Sequence, residues 1–227
     1  MDKYRKADLE TAQMFAQVGK AISQWSLVEL SLCNIFTVCV TSCPSRPTPD
    51  GGFVSLLDSK VPEAIFYSVE NFRGKLGMVD AAFFARVSEN GKWAQELRSE
   101  WRKLHGKARK LSLKRNQLAH WTVTPALPDD EDGSHPSQLM PPYGSPNWWT
   151  ELSVNPIGLA KSAKQVGDWI RAFSLIDAKL VCFQKQLAQH SRLTDKFDRL
   201  TVRLIQSHDR LSPTRGEWIR REIASPK

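Results

Sequence analysis

With 227 residues the chain can bury one sizeable hydrophobic core, or one core and a small appendage, and no more. Hydrophobic residues make up 41% of it and charged residues 25%, the balance of an ordinary soluble globular protein, which excludes a disordered or fibrous chain. The formal net charge of +8, with a sequence pI near 9.4, favours anionic partners.

The eight tryptophans mostly recur at helical spacing and are expected in the core. Cys33, Cys39, Cys43 and Cys182 lack CxxC spacing and have no histidine cluster beside them. They read as reduced, buried thiols rather than a metal or disulfide framework. The opening MDKYRKADLE has no apolar run of the secretory kind. The most apolar stretch, Leu27 to Cys43, carries Glu29 and Asn34 and is too short and too amphipathic to span a bilayer. A cytoplasmic protein with no membrane partner is the expectation.

In chain order, a first helix is predicted from about Asp8 to Val40. Its stripe of three-four steps is Phe15, Val18, Ile22, Trp25, Glu29, Leu32, Phe36 and Cys39. Three prolines and two glycines between Cys43 and Gly52 then end it in a loop. A second helix starts near Pro62 with Ile65, Phe66, Val69, Phe72, Leu76 and Val79 inward, kinked near Gly74 and Gly77. Asp80 to Val87 continues it or forms a short separate helix, and Asn90-Gly91 is a break.

A third helix is predicted from Lys92 to His120, with the stripe Trp93, Leu97, Trp101, Leu104, Ala108, Leu111, Arg115 and Leu118. From Lys92 to Arg115 nine Lys/Arg stand against Glu96 and Glu100. Arg102, Lys103, Lys107, Arg109, Lys110 and Lys114 are the candidate track for a phosphate backbone, against the alternative of a merely solvated face. Trp121 to Thr124 reads as a short strand, with Trp148 to Val154 as its return. Between them, residues 125–147 hold six prolines and the acidic run Asp129 to Asp132, which reads as a surface loop. Asn155-Pro156 starts a helix to about His190, with Leu159, Ala163, Val166, Ile170, Phe173, Ile176, Leu180, Phe183 and Leu187 inward. Thr194-Asp195 caps a last helix. The tail from Arg192 has nine Lys/Arg against five acids.

Two charges fall on apolar stripes, Glu29 and Arg115. An unpaired buried charge costs several kcal/mol, so the two are expected to pair or each to find another polar partner, against the alternative that one tilts out at the stripe edge. Asn116 and His120 lie four apart and share a helix face, with Arg115 about 100° round from Asn116. At this carboxyl end of the helix the macrodipole favours a cation. A protonatable imidazole beside a fixed guanidinium suits phosphodiester cleavage through the 2′-hydroxyl. One group moves protons and the other neutralises charge growing on phosphate, with no metal or other cofactor.

Arg115-Asn116-xxx-His120 resembles the Arg, polar residue, then His motif of HEPN domains (higher eukaryotes and prokaryotes nucleotide-binding). The resemblance covers residues 8–190 in architecture and six residues in motif. It implies an all-α, up-down bundle of four to six helices over residues 1–190, into which the chain's own pattern sets a small proline-rich insertion at about 121–154, with a β-hairpin as one reading of it. A basic helical tail follows at 191–227. It also implies an endoribonuclease of toxin–antitoxin or phage-defence systems, with Arg115 and His120 catalytic, Asn116 positioning them and Glu29 supporting Arg115. RNA, a second copy in a homodimer and an antitoxin protein are the implied partners. The alternative is a catalytically inactive HEPN-like module that binds nucleotides or a partner. The proline-rich insertion and the basic tail depart from the family pattern.

No GxGxxG, GKS/T, HExxH or GxSxG is present, and no metal ligand set is expected. His105 reads as a surface histidine, and His135, His190 and His208 have no metal-like neighbours.

Overall fold

The computed structural model describes residues 3–41, 45–47, 53–55, 60–87, 90–130, 133–142 and 160–211. It is an all-α bundle of α1 (Lys3–Val40), α2 (Lys60–Ser68), α3 (Phe72–Arg86), α4 (Lys92–His120) and α5 (Ala163–Leu211). Three two-stranded antiparallel ladders decorate it: β1 (Ser45–Pro47) with β2 (Phe53–Ser55), β3 (Thr122–Thr124) with β6 (Gln138–Met140), and β4 (Leu127–Asp130) with β5 (Gly133–His135).

The core joins the inner faces of α1, α3, α4 and α5. Val166, Ile170, Phe173, Ile176, Leu180, Phe183 and Leu187 of α5 are all buried, in the three-four steps predicted for them. Trp25 stands edge-on to Phe173 at 5.1 Å, and Trp101 stacks on Phe183 at 5.7 Å with Phe83 beside both. Burial of such rings is the main source of stability in a bundle of this size. Polar ties fix the register. Ser31 donates to Asp177 at 2.6 Å between α1 and α5, and the Trp101 indole donates to Asp80 at 2.8 Å between α4 and α3.

These pairs also set direction. Trp25–Phe173 and Ser31–Asp177 make α5 parallel to α1, while Trp93–His190 and Trp101–Phe183 make α4 antiparallel to α5. α3 runs antiparallel to α4, through Asp80–Trp101 and the Arg98 guanidinium on the Val87 carbonyl at 2.8 Å.

Several predicted boundaries move. The break before α3 is at Asn71, not a kink at Gly74 or Gly77, because the Asn71 side chain caps α3 by accepting from the Gly74 amide at 2.6 Å. A Cβ at Gly74 would come within 2.8 Å of Val69 Cγ1, so any side chain here would force Val69 to shift. α4 has the predicted bounds, and Gly91 before it takes a positive φ of 98°. β3 pairs with β6 within the proline-rich insertion, so the expected surface loop carries ladders, and Leu139 is fully buried. The expected return strand 148–154 and the helix start at 155–156 lie outside the described residues. α5 begins after Ser162, whose hydroxyl and amide exchange hydrogen bonds with Gln165 as a capping box. It runs unbroken past the expected stop at His190, because Thr194 bonds back to the His190 carbonyl at 3.1 Å instead of capping a new helix.

The stripe of α1 is right in period but exposed in its first half. Met14, Ala21, Trp25, Val28 and Leu32 are buried, whereas Phe15 and Ile22 are 58% and 43% exposed. The cause is the reach of α3. Its first turn meets α1 at Trp25 and Glu29, so α1 before those residues has no α3 beside it. α1 is long and apolar enough to cross a membrane by composition, yet more than half of its apolar window is buried inside the bundle. Of the cysteines, Cys33 and Cys39 are buried thiols, but Cys182 is exposed on α5, a correction to the expected burial. Burial raises the Cys33 thiol and pushes Cys39 up to about 12. Both are held as neutral thiols.

Candidate functional site

α4 is a long helix for the neighbour it packs against. Extending the antiparallel α3–α4 register by the helical rise puts Phe72 level with about Leu111, so roughly two and a half turns of α4 run past the start of α3. A cleft of about 970 Å³ opens there, lined by the first turns of α3, the carboxyl half of α4 and Glu29 of α1. Arg115, Asn116 and His120 all line it. Arg115 lies on the apolar phase of α4, but past the end of its cover, and is half-buried rather than enclosed. Asn116 and His120 are exposed on its wall. Arg115 Nη1 donates to Asn116 Oδ1 at 3.5 Å, a long, exposed contact between neighbours. Among the described residues the His120 imidazole makes no hydrogen bond.

The expected Glu29–Arg115 pair is not formed. Glu29 Oε2 instead pairs with Lys75 Nζ of α3 at 2.7 Å, and Glu29 Oε1 accepts from the Trp25 indole at 2.9 Å. Lys75 also lies over Phe66 and Tyr67, 5.4 and 5.2 Å from the ring centroids. Glu29 is thus saturated by α3 and its own helix, and its support goes to Lys75. Lys75 was missed. Its signal was its position four before Val79 and eight before Phe83, a cation on a core stripe.

The basic residues of α4 divide into two stripes by the helical period. Arg98, Arg102 and Arg109 share one line of the helix with His105, Asn116 and His120. Lys103, Lys107, Lys110 and Lys114 follow a second line about 140° away. Lys114 is drawn toward α5, where it sits 5.8 Å from the Trp169 ring, and Arg102 lies over Phe84 at the same distance. Of the six predicted backbone contacts only Arg109 and Lys110 line the cleft. His105, expected on the open surface, is half-buried beside Trp101 and lines the cleft too.

The lining carries Arg73, Lys75, Arg109, Lys110 and Arg115 against Glu29 and Glu70, a surplus of cations suited to a polyanion. Phe72, Leu76 and Leu113 give it apolar surface. Among the described residues no three His, Cys, Asp or Glu side chains gather as a metal ligand set. No protein-family model, curated protein or solved structure matches this chain.

Proposed function

We propose that the protein is a HEPN-like, metal-independent endoribonuclease of the toxin or phage-defence kind. The observation that supports this reading is the single cationic cleft shared by Arg115, Asn116 and His120. RNA enters with the scissile phosphate on Arg115, whose guanidinium offers paired donors to two phosphate oxygens. The 2′-oxygen attacks phosphorus and the bond to the 5′-oxygen breaks, leaving a 2′,3′-cyclic phosphate and a 5′-hydroxyl. The 2′-hydroxyl loses its proton to a base and the departing oxygen gains one from an acid. His120 serves one of these roles in each copy.

A homodimer supplies the second imidazole. Phe15 and Ile22 are exposed on the side of α1 that carries Glu29, since Ile22 and Glu29 are seven residues and about 20° apart. This apolar strip leads to the cleft mouth, where a second copy would bury it and bring two clefts together. An antitoxin protein covering the same mouth, and a cytoplasmic location, follow from the resemblance.

The lack of an orienting partner for His120 among the described residues favours a second reading, a binding module without activity. The two separate in EDTA. Active enzyme degrades RNA there, and His120→Ala and Arg115→Ala each lower the rate by about 10²–10³-fold. RNA that is bound with a steep salt dependence but left intact by the native protein selects the binding module.

A further inference from the structure

Gly77 of α3 and Gly106 of α4 both line the cleft, and nothing lies within 4 Å of a Cβ built on either. The register that pairs Asp80 with Trp101 and Val87 with Arg98 puts these two glycines at about the same height on facing helices. Glycine inside a helix is less favourable than alanine, and no close packing here demands it. What the pair does is leave a gap in the side chains along the cleft wall. Beside that gap stand His105, Arg109, Lys110 and Arg73, all in the cleft lining. Among the described residues no carboxylate forms an ion pair with Arg73, Arg109 or Lys110. Glu70 lines the cleft as well, and its charge disfavours phosphate next to it.

We propose that the part of the cleft formed by His105 and Arg109, with Arg73 and Lys110 around the Gly77–Gly106 gap, is a second phosphate subsite. It seats a nucleotide of the same strand away from the phosphate held at Arg115. The proposal rests on the ribonuclease reading for its ligand. Arg109 and Arg115–Asn116 are six to seven residues apart, about 10 Å along α4, the rise of about three stacked nucleotides at ~3.4 Å each. His105 can donate to phosphate oxygen, and Leu113 on the rim, 66% exposed, offers a surface to the intervening bases. The subsite makes affinity depend on strand length. A dinucleotide fills only one end.

The test uses labelled 2′-O-methyl oligoribonucleotides, which bind but present no 2′-hydroxyl for cleavage, at about two, five and ten nucleotides. Native protein should gain about tenfold in affinity from two to five nucleotides through the added charge-assisted contacts. Arg109→Gln and His105→Gln should remove most of that gain while leaving dinucleotide affinity within about twofold. Gly106→Leu, whose side chain enters the gap, should do the same. Gly106→Ala should raise the melting temperature, which shows that the position tolerates a side chain in the fold. Variants that bind the five-nucleotide strand as tightly as the native protein, or that lose all lengths equally, overturn the subsite. If cleavage in EDTA proves absent while the length dependence holds, the ribonuclease reading falls and the subsite stands.

Discussion

Glu29 and Lys75 form an ion pair in a wall of aromatic rings, with side chains only 16% and 10% exposed. Desolvation makes such a pair a weak net stabiliser, but removing one partner strands the other's charge. Lys75→Met should therefore cost about 3 kcal/mol in denaturant unfolding. Pairing it with Glu29→Gln, which keeps an acceptor for the Trp25 indole, should recover part of that loss. A double variant no more stable than Lys75→Met alone would contradict this account. Either change also loosens the floor of the cleft. A sequence stripe marks Glu29 as needing a partner but carries no information on which helix provides it. Arg115 was the more visible candidate, since its whole helix is strongly periodic, whereas Lys75 sits between Phe72 and Leu76 and is masked by them. His190 illustrates the same dependence on neighbours. It packs edge-on to Trp93, and burial followed by the nearby Arg86 charge lowers its pKa.

At the level of elements, the start of α3 decides the shape of the site. Asn71 caps the helix and Gly74 lets the cap approach Val69, so α3 begins where it does and no lower. Asn71→Ala should cost about 1 kcal/mol by leaving a first-turn amide unsatisfied. Gly74→Ala should destabilise the protein although alanine is the better helix former, because the new methyl meets Val69. Gly106→Ala should instead stabilise by about 0.5–1 kcal/mol. Equal effects of the two glycine changes in thermal melts would argue against the packing described. α4 was legible to the residue, since its periodic stripe is bounded by Gly91 and by the β-formers after Trp121. α2 and α3 were read as one kinked helix because the cap depends on a side chain folding back, which periodicity does not record. The length of α5 was misread for a like reason, Thr194 having both a capping and a back-bonding use.

For the whole molecule, α1 and α4 both run past the beginning of α3, and the gap uncovers Phe15 and Ile22 on one helix and Arg115, Asn116 and His120 on the other. An apolar strip beside a cationic cleft suits a second copy of the chain. Size-exclusion chromatography with light scattering should give a dimer, and Phe15→Glu with Ile22→Glu should give a folded monomer with cleavage reduced at least tenfold. A monomeric native protein with full activity would remove the composite site. The net charge of +8 favours polyanions at long range whichever state is populated.

The sequence by itself determined the helical class, the limits of α4, the inward face of α5 and the grouping of Arg115, Asn116 and His120 at one helix end. All of these depend on residues close along the chain, where a period of 3.6 and a few turn-forming residues carry the information. Only the tertiary structure decided that Glu29 belongs to Lys75, that His105 shares the cleft with the motif, and that Gly77 and Gly106 stand level across it. Those facts depend on which helices are neighbours and how far each one reaches. An amphipathic stripe specifies a buried face without naming what buries it, and the relative lengths of packed helices are fixed only when their side chains and caps interlock.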